Sequence, residues 1–579
     1  MSGDFRVGAW LVRPSLNAIS KNATDVQVEP KVMEVLVCLA TRPGESISKE
    51  IIIKTVWPDT FVSDDALIRC VSELRKAFGD NAGKPTVIET IPKRGYRLLI
   101  PAVPITPANR LESNLIPEFV DSIAVLPFEN SGSDPEMEYL SHGIVETITS
   151  NLSRLQDLRV VPRSTTLRMK DKFPDPAELE SALGARLVLT GHVAQQGYRL
   201  LVGAELIDTI QHAQLWKKTY DRKPEDIFSI QDEIAAGILN CLQLRPTNAE
   251  KRQITRRSTE SREAYHFYLR AHYFANKWSA EGFRKGFEYC AQAIEADPAY
   301  AEAYACLAYL YLLLGLFGAA PPVEAFAKSK AAAMRALEID EGSADAHSAL
   351  GFVHLVYDWD LQRSEAESRR AIQLAPNFEA SHLVYSHCCL ARQQFHEAVA
   401  EAKLALVIDP LSVRATYQLA SIYYFSGRYD DAIEQLRKAN ELDSRSARTH
   451  QVLAYAYARK GKCQEALAEA EEGLMLSGGS LQGKGLWGGV HALVGRQGDA
   501  RKVLEELEAA CVPPHFFEAY SCAAIHAILG DHDHAIEWLH NACKGHSAAI
   551  VFMGLDPNLE SLHGNHRFDV LVRQIGLAL

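Results

Sequence analysis

Apolar and polar positions along the 579-residue chain change their spacing at points that also carry turn residues, and those points divide it into elements. Residues 1 to 28 alternate short apolar stretches (Phe5, Val7, Ala9, Leu11, later Val26 and Val28) with turn residues such as Pro14 and Asn22, which predicts a strand meander. From Pro30 the spacing becomes helical through Val32, Val35, Leu36 and Leu39, and Pro43-Gly44 stops the helix. A second short helix follows Ser48, which is placed to cap it, and runs through Ile51, Ile52 and Val56 to Trp57-Pro58. A third begins after Ser63. Its Leu67, Val71, Leu74 and Phe78 form one apolar stripe, with Asp65, Arg69, Ser72 and Lys76 opposite and Arg75 at the flank. Two strand-like runs, Thr86 to Ile91 and Tyr96 to Ile100, meet at Pro92-Lys93-Arg94-Gly95, which predicts a hairpin with a basic tip.

Pro101, Pro104, Pro107 and Pro117 then mark a stiff linker, set at 103–119 after a first domain of 1–102. Residues 120–245 alternate strand and helix patterns. Strands are expected at Ser122 to Phe128, Leu158 to Pro162, Ala185 to Val193, Tyr198 to Asp208 and Gln214 to Tyr220, and helices at Tyr139 to Leu152, Ala177 to Leu183 and Ile227 to Leu242, an α/β layer domain. Residues 260–548 repeat every 34 residues. In the unit starting at Val413 the marked positions are Leu419, Tyr423, Gly427, Ala432 and Ala439, and one period later they are Leu453, Tyr457, Gly461, Ala466 and Gly473. About eight helix pairs fit, followed by a C-terminal cap at 549–579. The expected fold is therefore multidomain: a winged helix-turn-helix (α+β), an α/β domain and an all-α solenoid.

The net charge of -12 changes the picture only when it is divided along the chain. Residues 1 to 110 hold 15 Lys and Arg against 12 Asp and Glu, a balance of +3, which leaves -15 for the remainder. Only the N-terminal part can be drawn to a phosphate backbone by its overall field, and the placement of its cations matters more than their number. Eleven cysteines without a C-x-x-C spacing read as reduced thiols of a cytoplasmic protein. Residues 1 to 10 lack the apolar core of a signal peptide. The uncharged run from Ala303 to Val323 has the length of a membrane span, but its flanks are Glu302 and Glu324, and Gly315, Gly318, Pro321 and Pro322 interrupt it. Its Leu307, Ala308, Tyr311 and Gly315 fall on repeat positions, so a repeat helix is expected and no membrane partner.

The strings Leu67-Ile68-Arg69-Cys70-Val71-Ser72-Glu73-Leu74-Arg75-Lys76-Ala77-Phe78-Gly79 and Ile88-Glu89-Thr90-Ile91-Pro92-Lys93-Arg94-Gly95-Tyr96-Arg97-Leu98 resemble the winged helix of OmpR/PhoB-type regulators, most closely the ToxR/CadC branch. Residues 122 to 242 resemble a TolB-like domain found beside such regulators and beside nucleotide cyclases. The resemblance rests on Ile123 to Phe128 and Phe228 to Ala235. The 34-residue units resemble tetratricopeptide repeats, and the whole layout is similar to HilA-like regulators. Departures from these relatives are Ser72 and Glu73, where relatives carry arginines, a linker without a membrane helix, and no receiver domain ahead of the winged helix.

The resemblance implies a sequence-specific transcription regulator. The third helix would read the major groove of promoter DNA through Ile68, Arg69, Ser72, Arg75 and Lys76, and Thr90, Lys93 and Arg94 of the wing would meet the minor groove or phosphates. The implied partners are RNA polymerase, a second copy on DNA, and a protein or peptide in the repeat groove. For that last partner the first helices offer Arg414, Tyr417, Tyr424, Arg448, Gln451 and Tyr455. The competing class is an interaction scaffold whose winged helix does not bind DNA. Enzyme signals fail: Gly478 to Lys484 fits G-x-x-x-x-G-K, but Gly485 stands where a magnesium-binding Ser or Thr belongs and no strand precedes it. His532, His534, His540, His563 and His566 lack metal-ligand spacing. No catalytic residue, metal or cofactor is expected.

Overall fold

In the computed structural model, residues 5–577 are described except 8–9, 15–16, 22–23, 42–45, 58–61, 63, 79, 81–84, 86, 92–93, 101, 105–120, 132–137, 154, 156–157, 162–164, 167–184, 224–225, 242–258, 276–278 and 512–517. The chain divides into two compact units, residues 1–116 and 117–579. The expected helix at Ala177 to Leu183 and most of the linker lie outside the described residues.

In the first unit the apolar alternation forms strands β1 (Phe5–Val7), β2 (Trp10–Arg13), β3 (Ala18–Lys21) and β4 (Thr24–Gln27). The sheet is antiparallel in the order β4-β3-β2-β1-β7. Its last strand, β7 (Ala102–Pro104), pairs with β1, so Val103 and Pro104, read from sequence as linker, belong to the sheet. Proline is tolerated there because β7 is an edge strand. Helices α1 (Pro30–Ala40), α2 (Lys49–Val56) and α3 (Asp64–Phe78) follow. Proline opens α1 at a position where no backbone N–H is required, and the Ser48 hydroxyl caps α2 by accepting from Ile51 N. One core collects Val35, Leu36, Ile52, Leu67, Val71, Leu74, Ile88 and Leu98, and Trp10 meets Phe78 edge to face at 5.5 Å.

The hairpin of β5 (Ile88–Ile91) and β6 (Gly95–Leu98) is anchored beside its turn. Ile47 and Tyr96 exchange backbone hydrogen bonds of 2.9 and 3.0 Å. Gly95 has φ +132°, and a Cβ there would stand 2.0 Å from the Ile47 carbonyl oxygen. Only glycine fits that crossing.

The second unit opens with a sheet in the order β10-β8-β11-β12-β13, with a short β9 (Glu129–Asn130) also on β11. Strands β10 (Leu158–Val161), β8 (Asp121–Val125) and β11 (Leu187–Gln196) run parallel, while β12 (Arg199–Asp208) and β13 (Ala213–Arg222) extend the sheet antiparallel. Helices α4 (Glu138–Leu152) and α5 (Ile227–Cys241) bury Ile144, Ile148, Ile230 and Ile234 in the sheet's core.

That core does not end with the α/β layer. The first solenoid helix, Arg262–Ala275, packs on α4, and Tyr265 OH bonds Thr147 Oγ1 at 2.7 Å and the Gln231 side chain at 2.7 Å. Gly143 permits the approach, since a Cβ on it would lie 2.5 Å from Leu269. Two inter-repeat turns hold the same layer farther along. Asn377 Nδ2 donates to the carbonyls of Leu155 (3.0 Å) and Leu158 (2.9 Å), and buried Asp409 accepts from the Thr165 hydroxyl.

Sixteen solenoid helices, from Arg262–Ala275 to His532–Lys544, pair in sequence among the described residues. Left-handed glycines Gly427, Gly461, Gly495 and Gly530 turn the chain at intervals of 34, 34 and 35 residues. The suspected membrane run is the repeat helix Ala301–Leu316 and the start of the next, Pro322–Ile339, and no helix among the described residues is long and apolar enough to cross a membrane. A histidine clamp recurs between helices. His347, His382 and His450 each set Nδ1 against a carboxylate of the following helix (Glu367 2.5 Å, Glu401 2.7 Å, Glu469 2.6 Å) and Nε2 against a backbone carbonyl six residues earlier.

Beyond the pairs, two 3-10 turns (Ala548–Phe552 and Pro557–Leu562) and helix His566–Gln574 bury Ile550, Val551, Met553, Phe568 and Leu571 in a core that also holds Phe326, Leu355 and Ala391. The C-terminal segment thus returns to early repeats. Phe552 stacks on Phe425 at 5.6 Å, and Arg459 donates to Asn558 Oδ1 at 2.8 Å.

Gly95→Ala forces a side chain onto the Ile47 carbonyl and costs at least about 1–3 kcal/mol in backbone strain. Hydrogen exchange of α1–α3 amides should accelerate, with those of residues 262–544 unchanged. Asn377→Ala leaves two buried carbonyls without a donor, costs about 1–3 kcal/mol, and should lower the urea midpoint of the second unit.

Candidate nucleic-acid interface

Helix α3 is divided lengthwise. Leu67, Cys70, Val71, Leu74, Ala77 and Phe78 are buried, which leaves Ile68, Arg69, Ser72 and Lys76 exposed along the other side. Ile68 is 47% exposed, an apolar side chain offered to solvent.

The cations of this face differ in their freedom. Arg69 is 70% exposed and holds two carboxylates, Glu73 at 3.1 Å (i,i+4) and Glu29 at 3.4 Å, and the Glu73 bond raises its already high pKa. Exposed pairs of this kind contribute little to stability and exchange readily for another anion. Lys76 has no ion-pair partner among the described residues. Arg94, at the hairpin turn, is also exposed and unpaired among them, with its backbone N–H fixed to Ile91 O at 3.0 Å. Lys93 lies outside the described residues.

Arg75 and Thr90 are engaged with each other. The half-buried Arg75 guanidinium donates to Ile88 O at 2.9 Å and to Thr90 Oγ1 at 2.8 Å, which staples α3 to strand β5 of the wing. The guanidinium of Arg75 and the hydroxyl of Thr90 therefore already have partners inside the unit. Glu89 and Arg97 form a cross-strand pair on the same hairpin at 2.5 Å. The carboxylates Glu29 and Glu89, not singled out from sequence, lie on this face with Glu73, which the sequence marked only as a departure from arginine and whose i+4 spacing from Arg69 was the legible signal of their pairing.

The six repeat residues separate into two groups. Arg414 and Arg448 are exposed and Tyr417 is half-buried. The Arg448 guanidinium lies 5.7 Å from the Tyr417 ring and 5.6 Å from that of Phe317, and Arg414 pairs with Glu379. Phe317 also borders a cavity of about 290 Å³ shared with Leu481, Cys511 and Glu518, whose carboxyl burial pushes up to about 7. Tyr424, Gln451 and Tyr455, expected at a partner surface, are instead buried. Tyr424 and Tyr455 join a core that Phe552 and Leu555 of the C-terminal segment complete, and Gln451 packs against Gly473. The phosphate-loop imitation is a turn: Gly478 and Gly479 have φ of +64° and +68°, and Ser480 caps helix Leu481–Leu493.

Comparison with known proteins agrees with this division. The family described as the C-terminal domain of transcriptional regulatory proteins matches residues 23–98, the second domain of HilA/YgeH-like transcriptional regulators matches 120–237, and the TPR repeat matches 420–461. A protein of Rhizobium meliloti (strain 1021) named as a candidate adenylate cyclase is 35% identical over 191 residues, 33% of this chain and 32% of its own. The transcriptional activator CadC of Escherichia coli (strain K12) is 41% identical over 99 residues, 17% of this chain and 19% of its own. The transcriptional regulator HilA of Salmonella typhimurium is 24% identical over 304 residues, 52% of each chain. The chain therefore spans about half the length, or less, of these curated relatives. Among solved structures, the DNA-binding domain of E. coli CadC is 38% identical over 18% of this chain and 96% of its own, with a TM-score of 0.17. In its parts, then, the chain carries a winged helix of the transcriptional regulatory protein family, a HilA/YgeH-like second domain and tetratricopeptide repeats.

Proposed function

We propose that this chain is a sequence-specific DNA-binding transcription regulator in which α3 enters the major groove of promoter DNA and the wing, through Lys93 and Arg94, meets the adjacent minor groove or its phosphates. The observation that carries this reading is the lengthwise division of α3: a continuous apolar stripe is buried while Ile68, Arg69, Ser72 and Lys76 stay exposed on one face. Groups facing out from a rigid helix are what base readout requires, and cations beside them supply the phosphate attraction. Lys76 and Arg94 are the first to engage phosphate. Arg69 follows by trading its exposed glutamates for the duplex.

The second unit serves recognition in this reading. Tyr417 and Arg448 hold an acidic segment of a protein partner beside Arg414, whose charge is taken up by Glu379, and that partner signals to the winged helix and through it to RNA polymerase, with the chain acting in the cytoplasm, as a dimer on DNA. No catalytic step is assigned. The name of the cyclase relative belongs to a protein matched over only 32% of its length, whereas the family matched by residues 120–237 is that of a regulator.

Selection of genomic fragments by the full chain, followed by titration against salt, tests the reading. Log K should fall linearly with log salt, and Lys76→Ala and Arg94→Ala should each flatten the slope by about 0.9. Absence of any fragment bound above bulk DNA would refute it and favour a scaffold. Arg75→Ala should act differently. Losing charge-assisted bonds of about 1.5–3 kcal/mol, it should loosen the wing in hydrogen exchange and weaken DNA binding while leaving the salt slope unchanged.

A further inference from the structure

The turn between the last two solenoid helices, Ala519–Ile528 and His532–Lys544, gathers three side chains that the function above does not use. Gly530, at φ +85°, reverses the chain, and Asp531 N donates to His526 O at 2.9 Å. His526 on the first helix, Asp531 at the cap of the second and His534 in its first turn each offer one ligand atom, all within 4.8 Å of one another. His526 Nδ1 stands 3.4 Å from Asp531 Oδ2, and His534 Nδ1 stands 2.8 and 2.9 Å from the two Asp531 oxygens. The two imidazoles lie stacked, with centroids 5.3 Å apart.

The surroundings decide which nitrogen His526 offers. Its Nε2 is 2.8 Å from Glu508 Oε1, an oxygen that also accepts from Trp538 Nε1 at 3.0 Å. Glu508 thus takes up the Nε2 side of the ring, which leaves Nδ1 as the nitrogen that faces Asp531. A carboxylate-imidazole chain behind a ligand nitrogen is the support that metal-binding histidines carry. Helix capping accounts for Asp531. A hydrogen bond to Asp531 accounts for His534 Nδ1, and what remains is the convergence of His526 Nδ1 on the same carboxylate with the Glu508-Trp538 support behind it.

We propose that His526 Nδ1, His534 Nδ1 and Asp531 bind a divalent transition metal of the zinc type, with Glu508 orienting His526. Metal–ligand bonds of about 2.0–2.2 Å reach all three groups after small side-chain shifts, and two imidazoles with one carboxylate suit zinc rather than magnesium or calcium. His534 is 61% exposed, so water completes the coordination shell from the solvent side. The bound ion fastens the last helix pair and, through Glu508, the preceding helix Gln497–Ala510.

The test is calorimetric titration of chelator-stripped full-length protein with zinc chloride, with dialysed metal content measured alongside. We expect one equivalent at micromolar or tighter affinity, a raised melting temperature, and no competition from millimolar magnesium. His534→Ala removes an exposed ligand, and Asp531→Asn keeps a capping side chain. Each should weaken that equivalent at least tenfold while leaving the metal-free melting temperature and circular dichroism near the parent values. If parent and both variants bind zinc with equal stoichiometry and affinity, or the parent retains none, the proposal is overturned.

Discussion

A pair of helices 34 residues long cannot bury its apolar faces by itself, and the architecture of the second unit follows from that constraint. Each pair lends its surface to the next, which leaves two raw ends. The front end is closed by the α/β layer, whose core runs without interruption from Ile144 and Ile230 through Tyr265 and Leu269 to Tyr300. The rear end is closed by the C-terminal turns and the helix ending at Gln574, which carry Ile550, Val551 and Phe568 into the solenoid. The α/β layer is thereby part of the same folding body as the repeats.

Much of this was legible in the sequence, for reasons that can be stated residue by residue. The stripe of Leu67, Val71, Leu74 and Phe78 has one spacing and one physical solution, and all four are buried. Leu419, Tyr423, Ala432 and Ala439, with their counterparts one period on, were readable because close helix approach restricts the side chains allowed. What escaped were contacts between distant segments. Asn377 bonds backbone more than two hundred residues away, and nothing local distinguishes it from any loop asparagine. Tyr424 and Tyr455 read as surface because their covering, Phe552, comes from the C-terminal segment. The histidine clamps were invisible to a search for small apolar repeats, since a His-Glu pair has no hydrophobic period.

The first unit shows how little net charge says about an interface. Its excess over neutrality is small, yet Lys76 and Arg94 stand exposed while Arg75 is turned inward to hold the wing. Glu29 and Glu73 screen Arg69 with contacts weak enough to be exchanged. An interface of this kind is set by which cations lack partners. Residues outside the buried stripe therefore carry as much of its design as the stripe itself.

The bonds from Asn377 and Asp409 to the α/β layer have a mechanical consequence. Superhelical arrays joined only neighbour to neighbour stretch and recoil like springs, because each joint bends a little. Here one rigid plate is bolted to the first helix and again to two turns more than a hundred residues downstream, so the front half behaves as a braced truss. A load applied to it cannot be spread as gentle elastic give. It must either leave the frame unmoved or unfasten a bolt.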